Sequence, residues 1–454
     1  MKPLRSISAF ALLVVLALSN SASAQEKFNK EEFARRRAAL FEQISDGIAV
    51  VYSEEEGPAP VKFRQAPDFY YLTGIEDPGA ILLMNGANKQ TTVFAYPRSP
   101  QKIAFEGPGL LEMKDAKETY GVDQIQPMDQ LTLNVLFQGS QAKHLYLPVA
   151  EDTLQMARGE MLVMEARYMD HPLYHSSSNI RLANKRISDL NPSVPVVNLA
   201  PILNKMRWVK SPYEIERMRK AGQIGAESVK EAIKGTKPGM YEYQIEAAAR
   251  FVTFNQNAGV AYTPIVASGA NALAAHYEKN NRQMQAGELV LMDYGSDYDY
   301  YVSDITRTWP VSGKFTPEQE KMYRCVLEAS KTIIAAIKPG VTLKQLKSAA
   351  GEVYKKYGFE KEWLTWGPPG GQYIGHFVGM SVHDVNTAVP GQDLALQAGN
   401  TFNVVPILEI PEKQIHIRLE DSVLVTPTGA ENLTKDVPVE LDEIYALIKQ
   451  KGMN

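Results

Sequence analysis

The chain has a single cysteine, Cys325, among 454 residues. One thiol cannot form an intrachain disulfide, so the fold has to be stabilised by its hydrophobic core. The surrounding residues, EKMYRCVLEA, have the pattern of a helix. We therefore expect Cys325 to be a buried apolar residue rather than a nucleophile.

The sequence also lacks a strong excess of either charge, since 48 basic and 52 acidic residues give a formal net charge of −4. This small negative charge argues against nucleic acid or an anionic membrane surface as a partner. After residue 24 no apolar run is long enough to cross a bilayer. The hydrophobic share of 44% and the length are typical of a globular protein with two or three domains, or two large ones.

The first 24 residues differ from the rest of the chain. Lys2 and Arg5 form a basic start, an apolar segment follows over residues 9–18, and an A-x-A cleavage site ends at Ala24. This pattern predicts a secretory signal peptide over residues 1–24. No cysteine follows the cleavage point, which argues against a bacterial lipoprotein anchor. We expect a secreted or periplasmic protein.

Strand and helix patterns alternate in the first part of the mature sequence. A charged helical segment precedes a strand at residues 47–52, and a second strand at residues 80–84 follows the aromatic cluster FYY. This alternation predicts a small α/β domain covering residues 25–200.

A second domain is predicted to cover residues 201–454, after the Pro-rich stretch NPSVPVVNLAP. At its start, Ser211 and Glu214 match a capping box, and Pro212 occupies the first helical position. Amphipathic helices then alternate with short strands, which predicts an α+β fold. The helices are expected at residues 211–234, 241–255, 316–337 and 343–357.

The stretch LVLMDYGSDYDYYVSDITRTW, residues 289–309, organises this second domain. It predicts a hairpin, and a turn centred just after Tyr298 would place Asp293 opposite Asp304. Side chains paired in this way lie about 5 Å apart, where two carboxylates repel each other and a cation would remove the repulsion. The alternative is a solvated hairpin tip. The two aspartates of the turn itself are expected to be solvated.

Two later stretches each place a further candidate ligand among apolar strand residues: His376 in IGHFVGMSVHD and Glu420 in IHIRLEDSVLVT. Alone, such a histidine is usually a core residue, and a lone glutamate usually faces solvent. With Asp293 and Asp304 they form a set of two Asp, one His and one Glu on short strands. Carboxylates with one imidazole suit hard or borderline divalent ions.

The phrases D-x-G and Y-x-S-D-I-T-R-T, followed by this His and Glu, resemble the pita-bread metallopeptidase family M24, which includes aminopeptidase P, prolidase and methionine aminopeptidase. FRQ, FYYLTG and a strand ending in PR resemble the N-terminal domain of aminopeptidase P. The resemblance covers nearly all of the mature chain. It implies a small N-terminal α/β domain followed by a C-terminal pita-bread (creatinase/aminopeptidase) catalytic domain.

The resemblance further implies that Asp293, Asp304, His376 and Glu420 bind metal, with Mn²⁺ favoured and Co²⁺ or Zn²⁺ as alternatives. Family members usually hold two ions with five ligands, and the second Asp and the last Glu bridge the ions. Where the family reads T-x-E-P-G, this chain reads NVVPI, so Val405 stands at a ligand position.

In the family the glutamate at that position also carries a proton from the attacking water to the leaving amine. Valine has no lone pair to offer, so we expect one or two bound ions and impaired turnover. We also expect an acidic side chain at this site to titrate high, because the missing ligand leaves the others less neutralised.

Three further residues match catalytic positions of the family. His276 and His383 resemble residues that bind the substrate and stabilise the tetrahedral intermediate or the leaving nitrogen. Arg418 is expected to hold a ligand carboxylate or an acid of the other domain. Gln372 departs from aminopeptidase P, which commonly has a histidine four residues before His376.

The leading functional expectation is an exported metallo-aminopeptidase of the Xaa-Pro type, acting on peptides with proline in the second position. One alternative is an impaired relative that binds peptides or proteins without cleaving them. Another is a prolidase-like dipeptidase. Neither nucleic acid nor a membrane is expected as a partner, and a homo-oligomer remains an open expectation because family members often form dimers or tetramers.

Overall fold

The fold is that of a computed structural model, which describes residues 29–57, 62–148, 179–365, 371–387 and 393–453. The predicted signal peptide lies outside these residues. Within the described ranges, no helix combines the length and the apolar character that a bilayer crossing requires.

The N-terminal part is built on a mixed sheet of six strands in the order β4-β3-β2-β1-β5-β6. β1, β2 and β3 pair antiparallel, whereas β4, β5 and β6 each pair parallel with a neighbour. This confirms the predicted α/β character. The strands are β1 Gly47–Tyr52, β2 Ile81–Asn85, β3 Gln90–Ala95, β4 Gln124–Pro127, β5 His144–Leu147 and β6 Val196–Asn198. The helices are α1 Lys30–Gln43, α2 Pro67–Thr73, α3 Pro100–Glu106, α4 Ala116–Tyr120, α5 Leu131–Gly139, α6 Asn179–Leu190 and α7 Ala200–Trp208, with a 3₁₀ segment at Met128–Gln130.

The C-terminal part confirms the predicted α+β fold. Its described helices are α8 Pro212–Ile233, α9 Glu242–Asn255, α10 Pro317–Ala336, α11 Leu343–Tyr357, α12 Glu360–Thr365 and α13 Leu441–Ile448. Four of them match the predicted helices closely. The Ser211 side chain accepts from the backbone N–H of Glu214, and the Glu214 carboxylate accepts from the Ser211 N–H at 2.9 Å, so the predicted capping box is formed.

Short strands complete this part of the chain. They are β7 Gly259–Val260, β8 Ile265–Ser268, β9 Leu289–Tyr294, β10 Ser296–Tyr298, β11 Tyr301–Val302, β12 Ile305–Pro310, β13 Gly375–Phe377, β14 Thr401–Val404, β15 Ile407–Ile410, β16 Ile415–Arg418, β17 Asp421–Val425 and β18 Ala430–Asn432. 3₁₀ segments lie at Gly269–Leu273 and Pro411–Lys413. The pairing orders are β12-β9-β8, β13-β14-β17-β18, β15-β16 and β11-β10-β7.

The packing of β9 explains why Asp293 faces away from the main core. On β9, Val290, Met292 and Tyr294 pack into the largest apolar cluster, where Cys325 is also fully buried as predicted. Successive side chains of a strand point to opposite faces. Asp293, between Met292 and Tyr294, is therefore turned to the other face.

The predicted hairpin is present, but the predicted register is wrong. β9 and β12 pair antiparallel with Asp293 opposite Thr306 rather than Asp304. The turn residues are Asp299 and Tyr300, with φ of 50° and 70°, as in a type I′ turn. The turn lies one residue later than predicted, which shifts the pairing by two residues. A shift of two is a full strand period, so the two aspartates still share a face.

The prediction that the turn aspartates are solvated is correct for Asp299, which is exposed, and wrong for Asp297, which is half-buried; both are also ion-paired. Asp297 accepts from Arg64 Nε at 2.5 Å, and Asp299 accepts from Arg217 Nε at 2.5 Å and from the Tyr70 hydroxyl at 2.9 Å. The hairpin tip therefore contacts the N-terminal part of the molecule. Sequence patterns within the hairpin contain no information about these distant partners.

Candidate metal centre

Three carboxylates converge on the inner face of the C-terminal domain. Asp293 lies on β9, Asp304 just before β12, and Glu420 between β16 and β17. Their ligand oxygens all lie within 4.8 Å of one another, and all three residues are buried. The Glu420 N–H donates to the Thr306 carbonyl at 3.0 Å, so the paired strands fix its position.

The predicted histidine ligand meets the same group. His376 lies on β13, and its Nε2 is 3.3 Å from Asp304 Oδ2. Its Nδ1 lies 3.2 Å from the Phe377 carbonyl oxygen. A proton on Nδ1, donated to that carbonyl, leaves the Nε2 lone pair directed toward the carboxylates. Of the four residues predicted to bind metal, the structure thus groups the three carboxylates and places His376 beside Asp304.

Charge repulsion and burial perturb the titration of this group. Burial, together with the charge of Glu420, raises the pKa of Asp293 to about 6 even though Arg418 opposes the shift. Burial and the charge of Asp304 raise the pKa of Glu420 to about 7. Burial lowers the pKa of His376, but the hydrogen bond and charge of Asp304 outweigh it and raise that pKa overall. High-titrating acids are thus present as expected, but the causes are burial and mutual repulsion, and the expected cause, the missing ligand, is not tested.

Arg418 holds the carboxylate of Asp293, one of the candidate ligands, as predicted. Its Nη2 donates to Asp293 Oδ2 at 2.8 Å, and its Nε lies 3.6 Å from Glu420 Oε1. The guanidinium is buried with these carboxylates, so its charge acts at close range in a medium of low dielectric constant.

Tyr262 is a member of this centre that the sequence analysis missed. Its hydroxyl lies 2.5 Å from Asp293 Oδ1 and 2.7 Å from Asp304 Oδ1, and its one proton is shared between them. At Gly295, a Cβ would lie 2.7 Å from the Tyr262 ring and 2.1 Å from the Ser303 carbonyl oxygen. The glycine of D-x-G therefore leaves room for this tyrosine, which is the one signal in the sequence that points toward it.

The two histidines predicted to be catalytic lie near this group. The rings of His383 and His376 meet edge to face, with centroids 4.2 Å apart. Burial, and then the charge of the other histidines, lowers the pKa of His383 to about 3, so its imidazole is neutral at pH 7. His276 is exposed, and its charge acts on both Asp293 and His383, which places it near both residues.

Two further residues approach the site from β14 and from the segment before β13. The Asn403 side-chain nitrogen donates to Asp304 Oδ2 at 2.9 Å. Burial and the charges of Glu420 and Asp304 raise the pKa of Tyr373, whose hydroxyl therefore stays protonated and can donate. Neither residue was predicted to belong to the site: Tyr373 follows a Gly-Gly-Gln segment, and Asn403 entered the sequence analysis only as the first residue of NVVPI.

Val405, at the position of the fifth ligand, is buried and has no ligand atom. Glu409, four residues later, faces His416 across the β15–β16 pair, with 2.7 Å between Oε2 and Nδ1. It is therefore engaged elsewhere and does not replace the missing ligand. Three carboxylates and one imidazole remain, and this donor set fits a hard or borderline divalent ion.

Comparisons with known proteins identify the family of the chain. The family description "Metallopeptidase family M24" matches residues 216–427, and "Aminopeptidase P, N-terminal domain" matches residues 33–146. Xaa-Pro aminopeptidase of Escherichia coli is 32% identical, over 93% of this chain and 98% of the relative. The mitochondrial intermediate cleaving peptidase 55 of Arabidopsis thaliana is 30% identical, over 92% of this chain and 83% of the relative.

Solved structures show the same similarity. Aminopeptidase P from E. coli with the inhibitor Pro-Leu superposes with a TM-score of 0.77 at 28% identity, covering 93% of this chain and 98% of that one. Proline aminopeptidase P II from Yersinia pestis gives a TM-score of 0.77 at 28% identity, covering 93% and 99%. The chain belongs to the aminopeptidase P group of metallopeptidase family M24, as the sequence resemblance indicated.

Proposed function

We propose that this chain is an exported, metal-dependent hydrolase of the Xaa-Pro aminopeptidase type, which removes an N-terminal residue that precedes proline. The observation that carries the proposal is the convergence of Asp293, Asp304 and Glu420 at one buried point, with His376 beside Asp304. The match to relatives named Xaa-Pro aminopeptidase over nearly their full length supports the substrate class.

The residues that would hold the metal are these three carboxylates, with His376 at the edge of the group. Mn²⁺ is the favoured ion, and Co²⁺ or Zn²⁺ are alternatives. When bound, a divalent ion would supply Lewis-acid chemistry, polarising the peptide carbonyl and lowering the pKa of water.

The chain's own side chains orient the reaction. His383 is neutral at pH 7 because of its lowered pKa, so one ring nitrogen donates and the other accepts a hydrogen bond. Together with His276 it is suited to hold the scissile carbonyl or the leaving nitrogen. Arg418 and Tyr262 hold the ligand carboxylates in place, as partners behind metal ligands do.

The step that this set of residues supports least is proton transfer, because a general base is missing. A positioned general base typically contributes 10²- to 10⁴-fold to a rate, and Val405 stands where the family has that base. We therefore propose that turnover is reduced by about this factor relative to a chain with glutamate at the position. The same observation favours a second candidate function, that of a family member that binds proline-containing peptides and cleaves them slowly or not at all. A dipeptidase of the prolidase type remains a third candidate, which a length series of substrates would identify.

The deciding experiment uses the mature chain loaded with Mn²⁺ and a peptide with proline in the second position. Release of the first residue is compared for the unaltered chain, Val405→Glu and Glu420→Gln. We expect slow cleavage by the unaltered chain, faster cleavage by Val405→Glu and none by Glu420→Gln. Peptide binding without cleavage in both of the first two proteins would support the binding function instead. Cleavage that survives Glu420→Gln would show that the proposed centre is not the catalytic one.

We also propose export, from the predicted signal peptide over residues 1–24. N-terminal sequencing of the protein expressed in a Gram-negative host should find Gln25 at the mature N-terminus in the periplasmic fraction. An intact N-terminus in the cytoplasmic fraction would contradict this proposal.

A further inference from the structure

We infer that this centre holds one divalent ion rather than two, and that the side-chain amide of Asn403 takes the place of the second ion. The inference rests on one part of the proposed function, namely that these residues form a metal site. It does not depend on peptide cleavage.

Asn403 is placed by two strand pairings. On β14 it lies opposite His376 of β13 and opposite Ser422 of β17. Residues paired across a ladder share a face of the sheet, so the amide and the imidazole of His376 point to the same side. Asn403 is fully buried there.

The amide nitrogen is directed at two carboxylates. Asn403 Nδ2 lies 2.9 Å from Asp304 Oδ2 and 3.5 Å from Glu420 Oε2. The first of these oxygens is also the one that His376 Nε2 approaches, at 3.3 Å. A carboxylate lone pair that accepts an N–H is not available to a cation, and an amide nitrogen has only protons to offer. The amide therefore occupies the His376 side of both carboxylates.

The orientation of the amide follows from its neighbours. Asn403 Oδ1 lies 3.3 Å from the Ser422 hydroxyl, which can donate to it. The reversed amide would direct its oxygen at Asp304 and Glu420, oxygen against oxygen. Because such an arrangement is repulsive, the nitrogen has to face the carboxylates.

Val405, like Asn403, disfavours a second ion. Val404 packs into the main core, and alternation along the chain returns the next side chain toward the face of Asn403. A second ion on the His376 side would therefore lack a carboxylate ligand at position 405. Asn403 in turn supplies a neutral donor that satisfies the carboxylates left behind.

The formal charges also favour a single ion. Asp293, Asp304 and Glu420 contribute −3 when ionised, and Arg418 contributes +1, which leaves −2 in a buried site. One divalent ion brings this sum to 0, whereas two ions bring it to +2. Buried charge without a partner is strongly unfavourable, so the site is balanced for one ion.

The first test needs no substitution. The mature chain is stripped of metal with a chelator, titrated with Mn²⁺ and desalted, and its bound metal and electron paramagnetic resonance spectrum are measured. We expect about one Mn²⁺ per chain, with the hyperfine-split spectrum of an isolated ion. Two ions per chain with a spin-coupled spectrum would overturn the inference.

The second test separates the two residues. Val405→Glu alone should still bind about one Mn²⁺ per chain, because the amide of Asn403 still faces the carboxylates. Asn403→Thr combined with Val405→Glu restores the T-x-E-P pattern and should bind two ions with a coupled spectrum. If Val405→Glu alone binds two ions, or if the double variant binds only one, the role given to Asn403 is wrong.

A matched control is available at Asn400, a fully buried asparagine whose side-chain nitrogen donates to the Trp208 carbonyl at 2.9 Å. Asn400→Thr combined with Val405→Glu should leave the stoichiometry at one ion. Circular dichroism shows whether each variant is folded, and the measurement on the unaltered chain stands if one is not. Since these experiments use no substrate, an inactive protein with one ion would refute the peptidase proposal and leave this inference intact.

Discussion

The two sides of the metal centre differ in the kind of group that faces the carboxylates. On one side Arg418 contributes a full positive charge beside Asp293. On the other side the neutral amide of Asn403 approaches Asp304, and Val405 contributes only apolar surface. A buried carboxylate cluster can therefore be stabilised by a charged hydrogen-bond donor on one side and a neutral donor on the other. The following predictions test this difference.

The largest effect is expected from Glu420→Gln, which removes the carboxylate that faces both sides. Loss of a ligand should lower Mn²⁺ affinity by more than the roughly 10- to 100-fold that outer partners contribute. Without metal, the variant should be more stable than the unaltered chain at pH 8, because a repelling charge is gone. Calorimetric titration and thermal unfolding measure the two effects. Glu431→Gln, at an exposed pair with Arg219, is the control and should change neither.

The next largest effect is expected from Arg418→Gln on the charged side. Breaking a buried ion pair by removing one partner typically costs about 3–5 kcal/mol, because the other charge is left uncompensated. Urea unfolding of the metal-free protein should show a loss of this order. Arg219→Gln, which breaks the half-exposed pair with Glu431, should cost about 1 kcal/mol or less. Equal losses in the two variants would mean that the guanidinium of Arg418 does not stabilise the cluster.

Tyr262→Phe should have a smaller effect, which is expected mainly in metal binding. The variant loses only the hydroxyl that reaches Asp293 and Asp304, so we expect about a 10- to 100-fold weaker Mn²⁺ affinity. Tyr294→Phe is a matched control, because its hydroxyl contacts Thr253 at 2.7 Å on the core face of β9. The control should lose some stability and keep its metal affinity. Weaker binding in both variants would point to a general loss of packing.

The smallest effect is expected from pH. The folded pKa values of Asp293 and Glu420, about 6 and about 7, lie above their ordinary values of 3.8 and 4.5. Since these acids bind protons more tightly when folded, the metal-free fold loses stability as pH rises between about 4 and 7. Protons compete with the ion over the same range. Mn²⁺ should therefore raise the melting temperature more at pH 8 than at pH 5.5, and Glu420→Gln should flatten this dependence. An equal rise at both pH values would contradict these shifted pKa values.

The sequence predicted the parts of the fold that depend on local pattern. The helix starting after Ser211 has its capping box, and β9 and β12 form the expected hairpin. The shared face of Asp293 and Asp304 was predicted correctly although the turn was misplaced, because the error of two residues equals the strand period. Local periodicity therefore predicted which face of the strand a side chain lies on more reliably than its exact partner on the neighbouring strand.

Contacts made by single residues that lie far apart in the sequence could not be predicted. Tyr262 reaches the aspartates from a short segment that has no pattern of its own, and Asn403 is one polar residue within a buried strand. Val405 could be read from the sequence as a missing ligand, but the amide that faces the same carboxylates could not. That relation depends on how three strands pair, and no single stretch encodes it.

The contact between the hairpin tip and the N-terminal domain has a consequence for how this protein can be divided. The same ribbon carries two of the metal-binding candidates at its base and Asp297 at its tip, where Arg64 of the other domain binds. At the tip Tyr300 also stacks on Tyr70, with ring centroids 3.5 Å apart. A truncated catalytic domain would expose Tyr300 and would keep the tip contact between Asp299 and Arg217 while losing the one between Asp297 and Arg64. The N-terminal domain is thus part of the scaffold that holds the two candidate metal-binding aspartates.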